Sequence, residues 1–214
     1  MNSRNQTVVG IDVGGPRKGF HGVALRDGVV GKATSTNPAE IVEWCLEQRA
    51  RIVAVDAPCG WSQSGGSRQA ERDLRVGEAR IQCFMTPERS HALAHTKGFF
   101  DWVFNGEKLY QLLVTHYPLD DGRRGRRSCC LETFPHGIVC ALAGKIVAAK
   151  PKVANRRRVL IAHGYDVSQL PNIDYIDAAL CAVAAEEFRH GRTKYFGNRA
   201  EGFIVLPRSH KTTW

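Results

Sequence analysis

The run Thr7-Val8-Val9-Gly10-Ile11-Asp12-Val13, stopped by Gly14-Gly15-Pro16, constrains the fold more than any other part of the chain. A β-branched apolar run with almost no polar break reads as a strand buried on both faces. The glycines and proline end it. Strands of that kind belong to sheets covered by helices on both sides, which makes this an α/β chain. The one charged residue in the run, Asp12, falls near its C-terminal end. Arg51-Ile52-Val53-Ala54-Val55-Asp56 repeats the pattern, again delivering a carboxylate. Ligands of open α/β sheets bind beyond the carboxyl ends of the strands, so these two acids are candidates for a shared site.

Residues 20–25 and 28–33 read as two further strands joined at Arg26-Asp27-Gly28, where Asp-Gly favours a hairpin. Asn37-Pro38 opens a helix through residue 49, with asparagine as cap and proline in the first turn. Strand, hairpin, helix, strand predicts a mixed sheet. Residues 62–67 are expected to be a loop, 68–80 a charged helix, and 85–117 one or two helices, clearest over 107–116. A basic loop follows at 118–127. The strand pattern resumes over 128–134 and places Glu132 near its end. Helices are expected from Pro135-His136-Gly137 to Gly144, over 153–163 and over 173–190, and a closing strand over 202–207. With no repeat or linker, the 214 residues are expected to form one domain, 1–214, with a helical insertion at about 62–127.

Several classes fall away. No stretch approaches the ~20 apolar residues of a membrane span. The segment 1–6 runs into the first strand without an apolar signal core, so a cytoplasmic protein is expected. Seven cysteines without a CxxC pair, mostly in apolar runs, read as reduced core thiols rather than zinc ligands or disulfides. No Gly-x-x-x-x-Gly-Lys-Ser/Thr loop exists, which excludes a P-loop nucleotide hydrolase. The net charge of +9 attracts polyanions without saying which.

Glu132 joins Asp12 and Asp56 as a third strand-terminal acid, and Asp177 sits in a helix among alanines 178, 179, 182, 184 and 185. Those small residues let the helix pack closely on a sheet. Gathered carboxylates repel and are costly to desolvate unless a cation holds them. Oxygen ligands suit Mg²⁺, and such a cluster can hold one or two hard cations for in-line displacement at phosphorus. Taken singly, each acid also has a plain reading as a cap or turn residue. Asp177, facing a sheet, needs a metal, an arginine or water. Asp174 shares its helical face and is explained by the helix dipole, with an outer-shell role as the alternative.

Gly10-Ile11-Asp12-Val13-Gly14 with Lys18-Gly19-Phe20, Val55-Asp56-Ala57-Pro58-Cys59-Gly60-Trp61, Arg72-Asp73-Leu74-Arg75, Leu131-Glu132-Thr133-Phe134-Pro135, Asp177-Ala178-Ala179 and Gly202-Phe203-Ile204-Val205-Leu206-Pro207 resemble the successive blocks of domain-of-unknown-function family 429. The blocks run in the family's order from about residue 8 to 207. The resemblance implies a ribonuclease H-like fold, nuclease activity, and an acid-lined Mg²⁺ or Mn²⁺ site. Asp12, Asp56, Glu132 and Asp177 fall on the matching positions. Ala70-Glu71 departs from the cysteine or similar residue usual before the Arg-Asp block.

Around the acids, Lys18 and the loop residues Arg123, Arg124, Arg126 and Arg127 are candidate phosphate contacts, as is Arg157 in the run Arg156-Arg157-Arg158. A solvated surface is the alternative for each cluster. Arg68, Arg72 and Arg75 have i, i+4, i+7 spacing and either clamp a scissile phosphate or neutralise the acids. Trp61 either stacks a base or closes a hydrophobic corner, and His136 either acts near the metal or starts a helix. The reading is a ribonuclease H-like mixed sheet flanked by helices, hydrolysing phosphodiester bonds of DNA or RNA. Asp12 would bridge metals that Asp56 or Glu132 and Asp177 complete. An actin-like or sugar-kinase-like phosphotransferase is a rival, though 214 residues are too few for its two domains. A non-catalytic nucleic-acid-binding module is the other rival, and the strand-terminal acids count against it.

Overall fold

Strand β1 (Val8–Val13) is buried at every position, as its apolar run requires. The structure is a computed structural model and describes residues 6–123 and 128–208. β2 (Phe20–Leu25) and β3 (Val29–Ser35) turn back through Asp27 and Gly28, both at positive φ, which is the conformation the Asp-Gly pair was expected to supply. Helix α1 (Pro38–Glu47) starts on the Asn37 side chain, which accepts the Ala39 N–H at 3.0 Å. β4 (Ile52–Asp56) follows.

Between β4 and the next long-sheet strand lie α2 (Gln69–Asp73), the two-residue strands β5 (Arg75–Val76) and β6 (Ala79–Arg80), α3 (Arg89–Ala94) and α4 (Asp101–Leu113). The helix expected over 68–80 is therefore corrected to one short turn and a tight hairpin. Gly77, at φ +55, begins the two-residue loop between the paired Val76 and Ala79 and breaks the helix. The chain continues through β7 (Cys129–Glu132), α5 (Pro135–Ala143), α6 (Lys152–Ala162), α7 (Ile173–Arg189), β8 (Thr193–Asn198) and β9 (Gly202–Pro207). β8 was not anticipated. No helix among the described residues is long and apolar enough to cross a membrane.

Seven strands form one sheet in the order β3-β2-β1-β4-β7-β9-β8. β2 runs antiparallel to both β1 and β3, whereas β4, β7 and β9 run parallel to β1. An antiparallel meander continued by parallel strands on its other side is the ribonuclease H-like arrangement expected from the sequence. Alternation divides the core. Val9, Ile11, Val13, Val53 and Val55 pack with α1 and α4 residues, while Val8, Ile52, Ala54, Cys129 and Leu131 pack with α5 and α7 residues. Gly10 lies on the second face, where α7 crosses β1 in backbone contact. A Cβ built on Gly10 would fall 2.0 Å from the Ala178 carbonyl oxygen and 2.1 Å from the Ala182 nitrogen. Only glycine fits there, and the alanines of α7 complete the approach.

Candidate metal centre

The strand register decides which acids meet. Asp12 on β1 pairs directly with Asp56 on β4, so their side chains leave the sheet on one face. Gly10 is two residues before Asp12 and shares that face, so α7, seated on Gly10, carries Asp177 to the same spot. Asp12, Asp56 and Asp177 each offer a carboxylate oxygen, and the three oxygens lie within 4.8 Å of one another. Asp12 and Asp177 are buried, at 4% and 2% exposure, whereas Asp56 keeps an opening to solvent.

Glu132 ends β7 as expected, but it pairs with Val55 rather than Asp56. One residue of register sends its side chain to the opposite face. Both of its oxygens are engaged there: Arg68 donates to Oε1 at 2.5 Å and to Oε2 at 2.8 Å, and the Cys59 N–H donates to Oε2 at 2.8 Å. Arg68, only 1% exposed, also donates to Glu71 Oε1 at 2.9 Å. Its guanidinium thus faces two carboxylates and not solvent. The shared helical face predicted for Arg68, Arg72 and Arg75 does not form. Arg72 donates to the Ser67 carbonyl and to Gln69 Oε1, and Arg75 lies beyond the helix, exposed, donating to the Asp73 carbonyl.

Positive groups surround the aspartates. The turn through residues 14–19, closed by the Gly14 N–H on the Gly19 carbonyl at 2.8 Å, brings Lys18 back over Asp12. Its Nζ lies 2.9 Å from Asp12 Oδ2 and 2.8 Å from Asp174 Oδ1, linking the two acids. Arg156 donates to Asp177 Oδ1, and Lys152 Nζ lies 3.1 Å from Asp177 Oδ2. Sequence reasoning offered an arginine as one way to satisfy Asp177 but did not identify Arg156 or Lys152. Their i, i+4 spacing on α6 was the available signal. Arg157, a candidate phosphate contact, instead donates to the carbonyls of Val167 and Leu170 at 3.1 and 2.5 Å.

Among the described residues, no hydrogen bond or ion pair reaches the Asp56 carboxylate. Burial and the neighbouring Asp12 charge push its pKa up to about 8, against the opposing pull of Arg156 and Lys152. Asp12 is raised too, by burial first, with Lys18 pulling it down and Asp174 pushing it up. Lys18 is raised because Asp12 and Asp174 outweigh its own desolvation. Burial lowers Lys152 and Arg156, and Arg156 lowers Lys152 further. A cluster of oxygen donors with one carboxyl engaged by nothing fits a hard divalent cation. Such an ion would favour the charged form of both acids.

The remaining candidates lie further out. Trp61 packs on Phe104, with ring centroids 5.0 Å apart, and donates its indole N–H to Glu107 at 2.8 Å, closing a hydrophobic corner. His136 begins α5, half-buried, with its ring nitrogen 3.8 Å from Cys140 Sγ. Arg123 is exposed beside Asp121 at 3.4 Å, while Arg124, Arg126 and Arg127 lie outside the described residues.

A family model described as "Protein of unknown function (DUF429)" matches residues 10–202. The chain belongs to the DUF429 family. That span runs from Gly10 in β1 to the first residue of β9 and includes all three aspartates. No curated protein matches this DUF429 chain. Among solved structures, it is similar to Thermus thermophilus RuvC, at 17% identity and a TM-score of 0.46, over 87% of this chain and 97% of that one.

Proposed function

We propose that this DUF429 protein is a metal-dependent nuclease. In this reading Asp12, Asp56 and Asp177 hold Mg²⁺ or Mn²⁺, the substrate is nucleic acid, and the chain acts as one cytoplasmic domain. The observation that carries the proposal is Asp56, a carboxyl with no partner placed beside two buried acids. Such a grouping costs stability unless a cation compensates it. A bound divalent cation would supply Lewis acidity and a water of lowered pKa.

The side chains divide the remaining work. Asp12, paired directly with Asp56 across the strands, would hold the ion together with Asp56 and Asp177. Lys18 and Lys152, with side chains 42% and 51% exposed on flexible stems, can transfer from carboxylate to phosphate oxygen as substrate enters. Arg156 is buried and stays on Asp177, orienting it. Glu132 enters as a positioning residue: it holds Arg68 and the Cys59 N–H and thereby fixes the loop that follows Asp56. Arg123, Arg124, Arg126 and Arg127 are proposed as outer phosphate contacts.

The test is cleavage of labelled single-stranded, duplex and branched DNA and RNA with Mg²⁺ or Mn²⁺, by wild type and Asp12→Asn, with ATP hydrolysis run alongside. Wild type is expected to cleave at least one substrate, and Asp12→Asn to be slower by several orders of magnitude. Equal cleavage by both removes Asp12 from the site. Cleavage of none removes the nuclease reading, and ATP turnover sensitive to Asp12→Asn would favour the phosphotransferase. A second reading, a binding module without catalysis, is favoured by the ammonium and guanidinium groups already on Asp12 and Asp177. It predicts nucleic-acid binding with no melting-temperature response to millimolar metal.

A further inference from the structure

Asp56 also forms part of the wall of a cleft open to solvent, whose other walls include Phe84, Trp102, Phe134 and Thr86. The three aromatic residues are half-buried and keep exposed surface. Apart from Asp56, the charged residues in the lining are already satisfied, because Arg68 is shared between Glu71 and Glu132. Thr86 is different. Its N–H donates to Glu71, but its Oγ1 is buried with no hydrogen-bond partner. The aromatic surface continues outward from the cleft. Phe84 meets Trp102 edge-on, with centroids 5.0 Å apart, and Phe99 at 5.9 Å, and Phe99 is 57% exposed. A second cleft, beside Trp61, shares no wall with the three aspartates, and its indole N–H is already committed to Glu107.

We propose that the Asp56 cleft receives an unpaired nucleobase of the strand whose phosphate lies at the aspartates. This deepens the nuclease reading and rests on it. The argument is one of complementarity. Aromatic side chains stack a planar base whatever its identity. A lone buried hydroxyl that can both donate and accept offers one contact to a base edge. The shared wall at Asp56 makes the base and phosphate positions contiguous, as they are along a nucleotide. A base stacked within a duplex is not available to such a cleft, so the substrate class is single-stranded nucleic acid or duplex from which a base is extruded. The base-stacking role considered for Trp61 passes to Phe84, Trp102 and Phe134.

The test uses Asp12→Asn protein in EDTA, where no cleavage occurs, and a single-stranded oligonucleotide carrying one 2-aminopurine. Titration is expected to quench the probe as it stacks. Phe84→Leu, which keeps apolar volume but removes the ring face, should abolish quenching and weaken binding about tenfold. Thr86→Val should keep the quenching but reduce discrimination among the four bases. Phe99→Ser, at an exposed position, provides a variant with little folding risk and is expected to show a smaller loss of affinity. An oligonucleotide abasic at the probe position should bind wild type no better than the normal strand binds Phe84→Leu. Absence of quenching, or fully paired duplex competing as well as single strand, overturns the base site. Such a result alongside intact metal-dependent cleavage by wild type leaves the nuclease reading standing. Quenching without cleavage of any substrate removes that reading and keeps the base site.

Discussion

Substituting Gly10 by alanine tests whether helix α7 is set by backbone contact with β1. The added methyl carbon would sit 2.0 Å from one backbone oxygen of α7 and 2.1 Å from a backbone nitrogen, where ordinary contact needs 3.4 Å or more. Neither neighbour is the end of a flexible side chain, so α7 must withdraw by about 1 Å or more. Overpacking of a close-packed core costs about 1–3 kcal/mol, and a clash with rigid backbone falls at the upper end. For a chain of this length, ~3 kcal/mol lowers the melting temperature by roughly 6–12 °C. Because α7 carries Asp177, its retreat also draws one carboxylate away from the other two. The stabilisation gained on adding Mn²⁺ should shrink in parallel. Calorimetry of wild type and Gly10→Ala, with and without millimolar Mn²⁺, reads both effects. Gly15→Ala is the control, since its added Cβ meets nothing within 4 Å. A Gly10→Ala melting temperature indistinguishable from that of Gly15→Ala would refute this account of how the site is assembled.

Three further outcomes are expected. The folded Asp56 carboxyl holds its proton to about pH 8, against 3.8 as its ordinary value, so its contribution to metal-free stability is lost as pH rises from about 4 through 8. Urea midpoints of wild type should therefore fall relative to those of Asp56→Asn between pH 5 and pH 8, and parallel trends would contradict the assigned proton. Arg68→Met leaves Glu71 and Glu132 buried without their common partner and should cost about 3–5 kcal/mol in urea unfolding, a loss below 1 kcal/mol showing that the network is dispensable. Arg157→Gln removes two hydrogen bonds to carbonyls and should lower stability while leaving the salt dependence of oligonucleotide binding unchanged. A flatter salt slope would return Arg157 to the phosphate contacts.

The parts of the fold legible in the sequence were those with a strong local signal. Apolar runs ending at Asp12 and Asp56, the Asp27-Gly28 turn and the Asn37 cap each carry their physics within a few residues. Register between strands distant in sequence has no such signal, and it separates Glu132 from the aspartates although all three strands end in an acid. Arg68 and Glu71 illustrate a second limit. The spacing of the arginines left Arg68 as either a phosphate clamp or a neutraliser of the acids, and nothing local marked Arg68 or Glu71 as buried. They are buried because each satisfies the other and Glu132 completes the network. Gly77, which opens the turn between Val76 and Ala79, is the one local signal inside 68–80 that argues against the expected helix. Asp177 was legible because alanines surround it. Its cationic partners, contributed by another helix, were not.

The cations around the acidic cluster have a consequence for the order of events in the cell. Lys18, Lys152 and Arg156 give the chain its own counterions, so a newly made molecule completes the approach of α7 to β1 with no ion in hand. On the proposed metal-dependent reading, loading would thereby be separated in time from folding, and a metal would enter and leave a structure that persists without it. The ion carried would then follow the free pool of the moment and not the pool present during synthesis.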